Sequence, residues 1–144
     1  MSTPGTTTPD AALRRVIYVS HAVADPAQPM EAVIGSILDA ARRNNARTGV
    51  TGALLYSQRR FAQVLEGPPA AVERIFETIQ CDLRHDHVTV LEVSSPATRA
   101  FGDWSMAFAG DIKAAPGDIH PAAPSERVLA ILQQAIRNTE AATA

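Results

Sequence analysis

Two uncharged polar residues, Tyr18 and Gln63, lie in strand-like runs among large apolar neighbours. Side chains alternate along a strand, so Phe61, Gln63 and Leu65 share one side, while Ala62, Val64 and Glu66 take the other. In the run Arg14–Ser20, Tyr18 likewise goes with Val16 and Ser20, against Ile17 and Val19. In a third run, Trp104, Met106 and Phe108 share a face. A primary amide buried without partners costs roughly 1–3 kcal/mol, so Gln63 is expected to be hydrogen-bonded. A phenol, an amide and a Trp or Met on neighbouring strands can form one polar network in a hydrophobic box. The plainer alternative is a Tyr and a Gln that are satisfied structural groups, which is the common state of buried polar residues. Spacing does not separate the two. Asn44-Asn45 reads as a helix C-terminal cap, since Asn tolerates the left-handed conformation. Gly49 and Gly52 mark tight backbone geometry before and within a strand.

These residues need a scaffold, and the chain supplies alternating elements. Arg14–Ser20 is dense in β-branched and aromatic residues and is expected as the first strand. Met30, Val33, Ile34, Ile37, Leu38 and Ala41 form an apolar stripe at helical spacing over about residues 29–44. Val50–Ser57 and Phe61–Gly67 read as a β-hairpin joined through Gln58-Arg59-Arg60, with the turn type left open. Pro68 and Pro69 open a second helix with its stripe on Val72, Ile75, Phe76, Ile79 and Leu83. Val88–Val93 and Trp104–Ala109 are a fourth and a fifth strand. The order βαββαβ plus one strand is an α+β, ferredoxin-like pattern, with two helices on one sheet face. After a Gly- and Pro-containing linker, a helix from Pro124-Ser125-Glu126 carries Val128, Leu129, Leu132 and Ile136. Such a helix is marginal alone and must dock, either over the open sheet face of its own chain or in a dimer contact. The expected organisation is a disordered tail at 1–12, a domain at 13–110, and a linker and helix at 111–144.

Composition bounds the functions. A chain of 144 residues, 46% hydrophobic, has room for one domain and a sizeable core. A formal net charge of -2 with mixed signs gives no electrostatic case for nucleic acid or an anionic membrane. The single cysteine, Cys81, cannot make an intrachain disulfide and reads as a buried or half-buried bystander on a helix. The start MSTPGTTTPD lacks a signal-peptide layout, and no segment approaches a membrane span. A cytoplasmic location is expected.

From residue 15 to about 109, the sequence resembles the BLUF family, sensors of blue light using flavin. Arg43-Asn44-Asn45-Ala46-Arg47-Thr48-Gly49-Val50-Thr51-Gly52-Ala53-Leu54-Leu55-Tyr56 is similar to the family's NNxxxGITGxLLY signature, with Val50 for the usual Ile. Phe61–Gly67 matches F-x-Q-x-L-E-G, and Asp82-Leu83-Arg84-His85 matches D-x-R-H. Phe101–Met106 is similar to RF-x-x-WSM, with Ala100 where Arg is common.

The resemblance implies roles. Tyr18 would donate an electron and proton towards an excited flavin, and Gln63 would bridge that tyrosine and the flavin ring. Asn45 would bind the pyrimidine edge of the ring, and Ile37 and Ile79 would cover its two faces. Asp82, Arg84 and His85 would contact the ribityl and phosphate parts. Trp104 and Met106 would compete for the place beside the glutamine and carry the signal outward. Ala41 departs from the Ser that many members carry one turn before Asn45. The flavin would be FAD, with FMN and riboflavin equally compatible with a grip on the ring. The output would go to a separate effector protein, with self-association through the sheet face or the C-terminal helix. No enzymatic activity, nucleic acid, membrane or metal is expected. Three other readings compete: a flavin oxidoreductase, a ferredoxin-like RNA binder, and an interaction module that has lost its flavin.

Overall fold

The computed structural model describes residues 12–110 and 119–143. In chain order the elements are β1 (Arg14–Ala22), α1 (Met30–Thr48), β2 (Thr51–Ser57), β3 (Arg60–Gly67), α2 (Pro69–Gln80), β4 (His85–Ser94), β5 (Ala107–Gly110) and α3 (Ser125–Thr143). Among the described residues the strands form one five-stranded sheet in the order β4-β1-β3-β2-β5. β5 runs parallel to β2, and the other neighbours are antiparallel. This is the expected α+β, ferredoxin-like arrangement with an added strand.

Alternation along the central strands divides the core in two. Ile17, Val19, Ala53, Leu55, Ala62 and Val64 pack with Val128, Leu132 and Ile136 of α3. Val16, Leu54, Phe61, Leu65 and Met106 pack on the opposite side with Ile34, Leu38 and Val72 of α1 and α2. The C-terminal helix therefore covers the open face of its own sheet, which was one of the two expected dockings. The expected tail lies almost wholly outside the described residues, as does the middle of the linker.

Local chemistry explains the boundaries, and in several places it corrects the sequence expectation. α1 does not end at Asn44-Asn45 but continues to Thr48, where Gly49 at φ 76° closes it. Glycine is the residue for a left-handed closure, and Asn45 is thereby released to point inward. The hairpin turn is two residues long, Gln58 and Arg59, both at positive φ (51° and 65°), and Arg60 already belongs to β3. That geometry matches the right-handed strand twist, but side chains pay about 1 kcal/mol or more each for it. Arg60 steadies the turn by donating from Nη1 to the Ile119 carbonyl at 2.8 Å. Pro68 caps α2 and Pro69 occupies its first turn, as expected. Cys81 sits just past α2 and is exposed rather than half-buried.

The largest correction concerns the fifth strand. It begins at Ala107, so Trp104 lies in the irregular segment before it. Trp104 packs towards the α3-side cluster, whereas Met106 and Phe108 belong to the opposite one. Strand alternation failed here because there is no strand at Trp104 to alternate.

That segment is held by a buried carboxylate. Glu66, wholly enclosed on β3, accepts hydrogen bonds from the backbone N–H groups of Ala100 and Phe101 at 2.9 and 3.0 Å. It also pairs with Arg15 of β1 at 2.8 Å. Arg99 adds donations to the Gly49 carbonyl and Thr51 Oγ1 at 2.9 and 3.0 Å. A buried charge survives only when paired and hydrogen-bonded, and here its partners fix the path towards Met106. Gly52 has no room for a β-carbon, which would lie 2.0 Å from the Val64 carbonyl oxygen.

Leu132 of α3 has no exposed surface and sits at the centre of its cluster. Leu132→Ala is expected to lower the unfolding free energy by about 2–5 kcal/mol. Urea denaturation at two protein concentrations checks this: the loss should be independent of concentration, because the helix docks within its own chain.

Candidate functional site

β1 and β3 pair in a register that puts Tyr18 directly opposite Gln63. Both point to the α1/α2 side, and each is only 3% exposed. The Tyr18 hydroxyl donates to Gln63 Oε1. The other end of the amide, Nε2, reaches Met106 Sδ at 3.6 Å. The orientation of Gln63 is thus defined, with its acceptor on the phenol and its donor on a thioether. Sulfur is a weak acceptor, so this second contact is the easier one to give up.

Phe76 of α2 lies with its ring centroid 5.5 Å from that of Tyr18, and His85 meets the phenol edge-on at 5.9 Å. This apolar enclosure, with the Asp82 carboxylate nearby, holds the Tyr18 hydroxyl proton far above the ordinary phenol range. Desolvation is the larger cause, because it penalises the phenolate.

Between α1, α2 and the sheet lies a cavity of about 320 Å³. This is within the range of small-molecule sites. Ile37 and Ala41 of α1 and Ile75 and Ile79 of α2 contribute to its walls, and Tyr18, Gln63, Leu54 and Leu65 come from the sheet. Asn45 also lines it and is fully buried. Its Nδ2 donates to the Ser105 carbonyl at 2.7 Å. Its Oδ1 is the buried side-chain polar atom that lacks a partner among the described residues. An unsatisfied buried acceptor costs about 1–3 kcal/mol, and a ligand donor at this wall would remove that cost.

Asp82, Arg84 and His85 line the same cavity. Arg84 Nε donates to Asp82 Oδ1 at 2.9 Å, and Nη1 to Ser36 Oγ on α1 at 3.0 Å. The hydrogen bond from Arg84 holds the Asp82 carboxyl below its usual range. His85 lies 2.8 Å from Ser20 Oγ through Nδ1 and 2.7 Å from the Ile79 carbonyl through Nε2.

The structure therefore brings together Tyr18, Gln63, Asn45, Ile37, Ile79, Asp82, Arg84 and His85 around one cavity. It puts Met106, not Trp104, beside Gln63. Trp104 instead borders a second, shallower recess near Asn45 and Ser105. Sequence reasoning missed Phe76 as the lid over the phenol and Ser20 as the partner of His85. Ser20 was within reach, since alternation already put it on the Tyr18 side. Phe76 was visible only as one member of a helix stripe.

Residues 13–107 match the family described as "BLUF: Sensors of blue-light using FAD". The chain is 33% identical over 102 residues to the photoactivated adenylate cyclase subunit alpha of Euglena gracilis, covering 71% of this chain and 10% of that one. It is 35% identical over 94 residues to the blue light- and temperature-regulated antirepressor BluF of Escherichia coli (strain K12), covering 65% and 23%. The chain thus spans about a tenth of the length of the cyclase relatives. The dark-state structure of BlrB, a BLUF protein, aligns with TM-score 0.63 at 35% identity over 70% of this chain and 74% of that one. BlsA in its photo-activated state aligns with TM-score 0.74 at 26% identity over 86% and 94%.

The raised proton affinity of Tyr18 has a consequence for stability. The unfolded phenol ionises near pH 10, while the folded one keeps its proton. Its contribution is therefore intact below about pH 10 and is lost as pH rises further, with a slope of up to about 1.4 kcal/mol per pH unit. Denaturant titrations from about pH 9 to about pH 12, which span this onset, should show a shallower alkaline decline for Tyr18→Phe than for the wild type. Equal slopes would mean that the phenol ionises as readily folded as unfolded.

Proposed function

Since the chain belongs to the BLUF family, sensors of blue light using FAD, we propose that it is a photoreceptor whose light reaction runs through Tyr18 and Gln63. The observation that carries this reading is the Tyr18–Gln63 hydrogen bond at the wall of a cavity whose buried Asn45 Oδ1 awaits a donor. An isoalloxazine fits those features. It is planar and largely apolar, and its imide N–H is a donor for Asn45 Oδ1. Ile37 and Ile79, on the two helices, would cover its faces. FAD is the proposed cofactor, with Arg84 and His85 at the cavity for its ribityl and phosphate parts.

When bound, the flavin supplies blue absorption and, once excited, a strong oxidant. Tyr18 is the donor of electron and proton. In this buried enclosure the hydroxyl proton has a route along the hydrogen bond to Gln63 Oε1. An amide that takes this proton at Oε1 and gives one up from Nε2, for which the bound flavin would be the acceptor, is a tautomer of the same net charge. Rotation about its last torsion likewise exchanges donor and acceptor ends without moving charge. Either change alters what Gln63 offers to Tyr18 and to Met106.

Met106 carries the change outward. Its carbonyl accepts from Arg42 Nε of α1 at 3.1 Å, and the adjoining Ser105 carbonyl accepts from Asn45. β5 follows directly and contacts α3. A rearranged Gln63 thus acts on a strand that joins the cavity to the opposite face of the sheet, as a two-state element requires. In this reading the chain senses and a separate effector protein responds. Trp104, packed near Ser105, is a candidate to move when Met106 does.

The test is an absorption spectrum before and after blue light, with a small, thermally reversible red shift expected. Tyr18→Phe should retain bound flavin and lose the shift. Gln63→Leu should displace the dark spectrum and abolish the cycle. A Tyr18→Phe protein that still shifts reversibly would refute the donor role, and an unaltered cycle in Gln63→Leu would refute the bridge.

A further inference from the structure

Three of the chain's four histidines, His21, His85 and His87, gather at one end of the β1–β4 ladder. His85 faces the cavity and is engaged there. We propose that the other two, with Asp86, form a binding site for a divalent transition-metal ion of the zinc class. Each of the three residues offers a ligand atom, and these atoms all lie within 4.8 Å of one another. The His21 and His87 rings have centroids 4.9 Å apart, and His87 Nδ1 lies 2.7 Å from Asp86 Oδ1.

The backbone explains how neighbours in sequence come to share a site. His21 is paired with Asp86 across the ladder. Plain alternation would send His87 to the other face of the sheet. Between the pairs Val19–Thr89 and His21–Asp86, however, β1 advances two residues and β4 three. This is a β-bulge, which re-aims a side chain. His87 adopts φ 53° there, a conformation that a residue with a β-carbon rarely takes. The outcome is a histidine ring turned back towards His21.

Two imidazoles and a carboxylate are a ligand set for zinc and its neighbours rather than for calcium or magnesium. With bonds near 2.0–2.1 Å, tetrahedral ligands stand about 3.3 Å apart, so atoms now up to 4.8 Å apart need to close by up to about 1.5 Å, while His87 Nδ1 and Asp86 Oδ1, at 2.7 Å, open slightly. Asp86 and His87 are exposed and His21 half-buried, so their rotamers are free to do this. Water would complete the coordination. Arg60, opposite His21 on β3, is turned away to the Ile119 carbonyl. Ser20 and His85 flank the ligands by one residue each, so a bound ion would brace the strand pair that holds His85 at the cavity.

Zinc chloride titrated calorimetrically into tag-free, flavin-loaded protein tests the site, in a Cys81→Ala background that removes the exposed thiol. One ion per chain is expected, with a rise in thermal midpoint. His21→Ala, Asp86→Ala and His87→Gly should each weaken binding at least about tenfold. Glycine at 87 keeps the positive-φ backbone while removing the ligand. His120→Ala should leave binding unchanged. Absence of saturable binding, or binding that survives His21→Ala with His87→Gly, would overturn the proposal. So would an equal loss in His120→Ala.

Discussion

The register between β1 and β3 is the constraint on which the site rests. Because side chains alternate with a period of two, a slip of one residue would turn Tyr18 and Gln63 to opposite faces and exchange the two core clusters. The register is held from both sides. Ile17 and Val64 must meet α3, while Val16 and Leu65 must meet the α1 and α2 side. One pairing satisfies both faces, and that pairing puts the phenol against the amide. Aliphatic packing thereby delivers two polar groups to hydrogen-bonding distance in the buried interior.

The same low-dielectric interior sets the behaviour of every polar group in it. Glu66 is stable there because its charge is met by Arg15 and two backbone N–H groups. It faces away from Gln63 on the same strand, so β3 carries a structural polar centre on one side and the proposed reactive one on the other. The first is saturated with strong donors. The second has a weak thioether contact at Gln63 and an unmatched acceptor at Asn45. Polar groups that are fully partnered resist change, whereas those held loosely can rearrange at small cost. The segment pinned by Glu66 leads into Met106, the residue that touches the Gln63 amide.

The relatives use this domain as a module within larger proteins, including photoactivated adenylate cyclases. In the proposed reading, a change at Gln63 passes through Met106 and β5 to α3, which packs on β5 and β2. Its packing is intrachain, so an output of the kind proposed would alter the docking of α3 on the sheet rather than open the cavity.

Much of this was legible in the residues themselves. Period-two and period-3.6 patterns located all eight elements, with the end of α1 and the starts of β4 and β5 displaced, and put Tyr18 and Gln63 on the core-facing sides of their strands, because burial imposes those periods directly. Pattern alone left their meaning open, and it was the motif blocks around Asn45, Gln63 and Trp104-Ser105-Met106 that identified the family. Where local and long-range forces disagree, sequence misled. Asn45 looked like a cap, but Gly49 closes the helix and frees Asn45 to enter the core. Trp104 seemed to share a face with Met106, but tertiary ties to Glu66 and Gly52 hold its segment out of the strand. The direction of the Gln63 amide, the orphaned Asn45 oxygen and the meeting of His21 with His87 were likewise decided by tertiary structure. Each depends on which atoms arrive from distant strands and helices, and no one-dimensional period encodes that.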